Sequence, residues 1–115
     1  MVADGEQYRF GNRCGIFNGM TGAQLRQLRK DLGEAIGRPL TVKDFAKLCG
    51  LPTESGGGTI LEWENGYGPS GPVAVLLSML SVASDHYPID EEIISESDAA
   101  FYRAMMRAGI IRRLG

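Results

Sequence analysis

Thr59-Ile60-Leu61-Glu62-Trp63-Glu64-Asn65-Gly66 is the stretch whose reading decides the fold of this chain. Ile60 and Trp63, three residues apart, can press one face of a short helix into a small core while the opposite face stays free. Asn65-Gly66 tolerates a left-handed backbone, so it stops that helix and turns the chain. A helix so short is stable only when packed on neighbours. The sequence on either side must therefore supply them.

Upstream, Thr21 reads as an N-cap, followed at helical spacing by Leu25, Leu28, Leu32 and Ile36, until Gly37 and Pro39 end the first helix. Thr41 with Asp44 three residues on approximates a capping box and opens a second helix, with Phe45, Leu48 and Cys49 facing inward and Gly50 and Pro52 closing it. Thr53 to Gly58 reads as loop or frayed helix start, because three consecutive glycines make a costly helix interior. The third helix is thus expected from about Thr59 to Asn65.

Downstream, Ser70 caps a fourth helix, with Pro72 in its first turn. Val73, Leu76, Leu77 and Leu80 line one of its faces, and Val75, Met79 and Val82 the other. A helix apolar on both sides must be covered on both. The second cover is expected from a C-terminal helix, capped near Ser97, stopped at Gly109 and striped by Phe101, Met105 and Ala108, or from a second subunit. The expectation is one all-α domain of five helices: an irregular N-terminal arm over residues 1–20, the main domain over 21–84, and a C-terminal extension over 85–115 used in dimerisation through Val75, Met79, Val82, Phe101 and Met105.

The 115 residues, 43% apolar, suit one modest core. A formal net charge of -2 argues against a generic polyanion binder. The charge is unevenly spread, however. Gly22 to Gly50 holds six basic and three acidic residues, whereas Leu51 to Ser70 has three Glu and neither Lys nor Arg. Gly71 to Asp98 has six acids and neither Lys nor Arg, and the last 17 residues have four Arg and no acid. Cys14 and Cys49 are the only cysteines and form no Cys-x-x-Cys or Cys/His cluster, so neither a disulfide framework nor a metal site is expected. No window approaches a membrane span and no leader pattern opens the chain, which suggests a soluble cytoplasmic protein.

Arg29, projected at about 100° per residue, falls among Leu25, Leu32 and Ile36 on the core side of the first helix. A guanidinium there needs a carboxylate, and Glu64 is the natural candidate. On the outer faces, Arg26 and Lys30 lie four residues apart on the first helix, and Lys43 and Lys47 repeat the spacing on the second. Taken together, Leu25-Arg26-Gln27-Leu28-Arg29, Asp44 to Gly50, Thr59 to Gly66 and Ser70-Gly71-Pro72-Val73 resemble the helix-turn-helix proteins of the Cro and phage-repressor type, the XRE class. The resemblance covers roughly residues 21–82. It implies a lambda-repressor-like fold, an Arg29–Glu64 structural pair, phosphate contacts from Arg26, Lys30, Lys43 and Lys47, and a recognition helix in the DNA major groove.

The chain departs from that pattern in places. Some six residues, Glu34 to Pro39, look inserted after the first helix, and about four more precede Thr59. Val42 stands where Gln is common. The positions that usually read base edges fall on Gly57, Gly58, Leu61 and Glu62, none of them Arg, Lys, Gln or Asn. Groove contacts are therefore expected from Thr53, Ser55, Gly57, Gly58, Thr59 and Glu62, with backbone as well as side chains.

Gly56-Gly57-Gly58-Thr59 is no phosphate loop, because no Lys follows and no strand precedes. His86, the one histidine, reads as standing alone, solvated or structural, and the carboxylates from Asp90 to Asp98 read as a solvated loop. No catalytic set is visible and no cofactor is implied. The expected function is sequence-specific binding of double-stranded DNA by a small homodimeric transcriptional regulator of the bacterial, prophage or mobile-element type. The alternative is a protein-interaction module, such as an antitoxin or co-regulator, that keeps the fold without the base-reading side chains.

Overall fold

Two threonines start the first half of the molecule in the same way. The Thr21 hydroxyl accepts from the Gln24 amide at 3.1 Å while the Gln24 side chain accepts from the Thr21 N–H at 2.8 Å, and Thr41 and Asp44 repeat the exchange at 3.0 and 3.2 Å. Each box satisfies amides that the first turn of a helix leaves unpaired. The helices they open are α1, Gly22–Ile36, and α2, Val42–Leu48. The computed structural model describes residues 20–89 and 94–115. The expected arm lies outside the described residues apart from Met20, which is buried.

Gly37 ends α1 with φ +81°, donating its N–H to Glu34, while Arg38 N–H reaches back to the Gly33 carbonyl at 3.0 Å. Three further helices follow: α3, Gly56–Glu64; α4, Gly71–Leu80, running into a 3-10 turn at Ser81–Ala83; and α5, Glu96–Leu114. All regular structure among the described residues is helical. Leu25, Leu28 and Leu32 of α1, Phe45 of α2, Ile60 of α3, Leu77 of α4, Tyr87 from the segment after the 3-10 turn and Ile110 of α5 meet in one core.

The structure corrects the expected start of α3. The glycine triplet is not a loop but its first turn, and packing explains why. A Cβ on Gly56 would lie 2.7 Å from the Ala46 Cβ and 3.1 Å from the Leu51 Cβ, so only a glycine lets α3 approach α2 this closely. Gly58 is on the opposite side, with nothing within 4 Å of the position its Cβ would take. Ser70 occupies the N-cap position of α4 without bonding through its side chain. On α4 itself Ala74 and Leu77 are buried, Val73, Leu76 and Leu80 are half-buried, and Val75 and Met79 face outward.

The C-terminal helix differs most from expectation. Its cap is Ser95, whose hydroxyl accepts from the Asp98 N–H at 3.2 Å, and it passes through Gly109 to Leu114. A lone glycine costs a helix roughly 1 kcal/mol, and here inward residues on both sides of Gly109 hold the helix down. Its inner face is Arg103, Met106, Arg107, Ile110 and Leu114, not the Phe101, Met105 and Ala108 stripe, which is exposed. Because Tyr87 and Ile110 complete the same core as α1 and α2, residues beyond 84 are built into the domain rather than appended to it. His86 is likewise not solitary: its Nε2 lies 2.8 Å from the Glu34 carboxylate and 4.0 Å from that of Asp31.

The glycines make a direct test. Gly58→Ala should stabilise the protein by about 0.5 to 1 kcal/mol, since the helix gains propensity and the new methyl meets open space. Gly56→Ala should destabilise by about 1 to 3 kcal/mol, because the methyl must push α3 off α2. Urea unfolding of the two variants would show it, and equal shifts would mean that α3 does not rest on α2 through Gly56.

Candidate nucleic-acid interface

The end of α3 is fastened to α1 by charge. Glu64 comes last in α3 with its side chain only 3% exposed, and its Oε2 accepts from Arg29 Nε at 2.6 Å while Oε1 accepts from Nη2 at 3.0 Å. Arg29 Nη1 also donates to the Leu40 carbonyl at 2.9 Å, so one side chain of α1 holds both the end of α3 and the chain entering α2. The paired carboxylate, chiefly through its hydrogen bonds, raises the already high pKa of Arg29 further. The fork-to-fork geometry is the one in which arginine outperforms lysine. The expected Arg29–Glu64 juxtaposition is thus present in the structure.

Arg26, expected at a phosphate, joins this cluster instead. Its Nη2 donates to the Glu64 carbonyl at 3.0 Å and to Asn65 Oδ1 at 3.3 Å, and its Nε is 3.7 Å from the Glu64 carboxylate. Sequence spacing placed it on the outer face, but α3 ends close enough to use it. Lys30 stays exposed, beside a groove that it lines with Glu34 and Arg38. Neither Lys30 nor Lys43 is engaged in an ion pair among the described residues.

The outward face of α3 reads Ser55, Gly58, Leu61, Glu62 and Asn65, all exposed and spaced as one helical stripe. Three of the expected groove residues, Ser55, Gly58 and Glu62, lie on it, and Thr53 is exposed just ahead. The other two do not. Thr59 is half-buried with its hydroxyl bonded back to the Ser55 carbonyl at 3.3 Å, and Gly57 faces α2, where a Cβ would lie 3.4 Å from Lys43 Cγ. Starting α3 one turn earlier than expected shifted which residues share a face.

Lys43 and Lys47 flank the beginning of α3. With Thr53, Leu51 and Pro52 of the connection they line a cleft of about 300 Å³, and its far wall is Arg113 from the last turn of α5. Arg113 Nε donates to the Lys47 carbonyl at 3.2 Å, and Lys47 Nζ donates to the Leu114 carbonyl at 3.3 Å. Asp44 is the one acid at this rim. It is already committed to Arg38 at 3.2 Å and to the Thr41 N–H.

Sequence reasoning missed two residues here. Arg113 could have been found by carrying the Met106, Ile110, Leu114 period through Gly109. Tyr67, 98% exposed directly after α3, had no signal, since an aromatic between two glycines is as readily buried as bare. Among the described residues no group of three His, Cys, Asp or Glu is placed to hold a metal, and no helix is long and apolar enough to cross a membrane. Burial pushes the Cys49 thiol up to about 11, which keeps it protonated and inert near neutral pH. Compared with known family models, curated proteins and solved structures, the chain gives no match.

The Arg29–Glu64 cluster can be tested by a double-mutant cycle. Arg29→Ala leaves a buried carboxylate facing only Arg26 and should cost about 3 to 5 kcal/mol. Glu64→Ala should also destabilise strongly, and the double variant should cost less than the sum by about 1 kcal/mol or more. Additive, sub-kcal/mol effects in urea unfolding would place both side chains in solvent.

Proposed function

We propose that this protein binds double-stranded DNA as a cytoplasmic transcriptional regulator with a helix-turn-helix of the Cro and phage-repressor type, α2 and α3 forming the motif. What carries the reading is the open stripe of α3, Ser55, Gly58 and Glu62, flanked at its N-terminal end by Lys43 and Lys47 of α2. The cations hold phosphates and set register, while the small residues at 55 and 58 let the α3 backbone approach base edges and Glu62 accepts from a cytosine amine. Arg26 has a structural part in this arrangement, and Lys30 supports the duplex only along its flank.

Binding of this kind releases counterions, so affinity should fall with salt at a log-log slope of roughly -0.9 per neutralised phosphate. Sequencing genomic fragments captured by the purified protein at two salt concentrations should show enrichment of one site. Lys43→Ala with Lys47→Ala should weaken all fragments alike and flatten the slope. Ser55→Ala and Glu62→Gln should instead change which fragments are preferred.

One observation favours a second reading. Leu61 is 48% exposed on the same stripe and Tyr67 is almost wholly exposed, an apolar and acidic combination suited to a protein partner. A flat salt response with no enriched fragment would favour it. A protein-interaction module would also lose its partner on Tyr67→Ala, a change that should leave phosphate-driven binding intact.

The regulator is proposed to act as a homodimer, matching a two-fold operator. Met79 and Phe101 are 57% and 61% exposed, and Val75, Tyr102, Met105 and Ile111 are exposed as well, with Val82 half-buried. Met79→Glu with Phe101→Glu should turn a dimer into a folded monomer in sedimentation, whereas removing α5 would simply open the core at Ile110. A monomeric parent protein at micromolar concentration would end the dimer proposal.

A further inference from the structure

We infer that the last turn of α5 belongs to the nucleic-acid surface: Arg113, with Lys43 and Lys47, forms a three-cation cleft that clamps one backbone phosphate beside the start of α3. The inference rests on the DNA-binding reading and adds to it a contact from the element expected to serve in dimerisation. Four arginines lie on α5, and two are consumed in building the fold. Arg103 donates to the Val82, Ser84 and Tyr87 carbonyls and lies 3.6 Å from Asp85, and Arg107 donates to the Ala83 carbonyl at 2.6 Å and pairs with Asp85 at 3.1 Å.

Arg113 is different. Only its Nε is bonded, to the Lys47 carbonyl, while its two Nη groups have no partner among the described residues. A guanidinium held by Nε presents both Nη donors as a fork, the geometry that receives two oxygens of one phosphate.

The cleft itself is electrostatically unbalanced. Lys43, Lys47 and Arg113 line about 300 Å³ opposite a single carboxylate, Asp44, that Arg38 and the Thr41 amide already engage. Basic residues in a last helical turn are favoured by the helix dipole, which accounts for the Lys47 bond to the Leu114 carbonyl. That effect does not require Lys43, which lies one turn earlier on α2, away from the end of α5, and joins the same cleft. Three cations drawn together without free acid repel one another, and a backbone phosphodiester, whose one negative charge is shared by two non-bridging oxygens, relieves that repulsion. Reciprocal bonds between Lys47 and the end of α5 fix the spacing before any ligand arrives, so ordering the site costs little on binding.

The test uses full-length protein and a fluorescein-labelled duplex of about 30 base pairs, read by anisotropy from about 50 to about 300 mM KCl. Arg113→Gln should weaken binding about three- to ten-fold at about 100 mM salt and flatten the slope by about 0.9, the loss of one phosphate contact. Arg113→Lys should restore the slope, and Arg112→Gln, outside the cleft, should match the parent. Thermal unfolding of each variant confirms that the fold is retained, and Lys43→Gln reports on the cleft without touching α5. If Lys43→Gln flattens the slope but Arg113→Gln does not, Arg113 merely closes the helix end and the inference is overturned. Equal losses for Arg112→Gln and Arg113→Gln would overturn it in favour of diffuse charge. A change in melting temperature with inorganic phosphate at constant ionic strength, with duplex affinity unaltered by Arg113→Gln, would make the cleft a free-anion site and overturn it too. No binding by the parent protein at the lowest salt would instead sink the DNA-binding reading itself.

Discussion

Everything in the first half of the molecule depends on one carboxylate being where Arg29 can reach it. The guanidinium sits on the leucine face of α1, where leaving the charge unpaired would cost about 3 to 5 kcal/mol, a large share of a domain's margin of stability. Glu64 removes that cost, and in doing so fixes the end of α3 against α1, while the third arm of the guanidinium holds Leu40. α1 supplements the pair with backbone: Gly22 donates to the Gly66 carbonyl at 3.3 Å, and a Cβ there would lie 2.5 Å from the Trp63 and Glu64 carbonyl oxygens. The orientation of the exposed α3 stripe follows from these constraints at one end and from the Gly56 approach to α2 at the other.

How much was legible in the sequence differs by the kind of signal. Both capping boxes begin with Thr, and the α1 leucines repeat at three and four, so these elements could be placed from local rules. Arg29 and Glu64 were legible because a charge in an apolar stripe raises a question with few answers. The glycine triplet was misread for a physical reason: propensity counts the entropy that glycine loses, whereas the deciding factor was steric, a methyl-sized space between α2 and α3 that no local pattern reveals. The same tertiary override carried α5 through Gly109, because Ile110 is buried beyond it. Arg26 went astray for a third reason. Its face was read correctly, but nothing in α1 says that α3 ends beside it.

The four arginines of α5 show how one residue type serves two purposes in adjacent turns. Arg103 and Arg107 satisfy carbonyls of the 3-10 turn and the segment after it, polar groups that would otherwise be buried unpaired where the chain leaves α4. One end of α5 is thereby locked to that turn. The other end is tied to α2 by Lys47 and Arg113. A helix fixed at both ends cannot swing away as a separate dimerisation arm, so any second subunit must meet it in place, on the Phe101 and Met105 side that faces away from the core.

That placement bears on how an acidic chain could approach a polyanion. Glu62 on the open stripe would be repelled by phosphate and tolerated only where base edges offer amine donors, so the helix must enter a groove with its flanks, not its face, against the backbone. The cations lie where that geometry needs them: Lys43, Lys47 and Arg113 by the start of α3, and none on the stripe itself. With no side-chain cation to strengthen contact at the base edges, selectivity would arise from close backbone approach at Gly58, from Glu62 rejecting partners that offer it no donor, and from the local shape of the duplex. On the proposed DNA-binding reading such a surface would bind by its edges and select by exclusion, which would give a net negative protein a way to prefer one sequence without holding every sequence tightly.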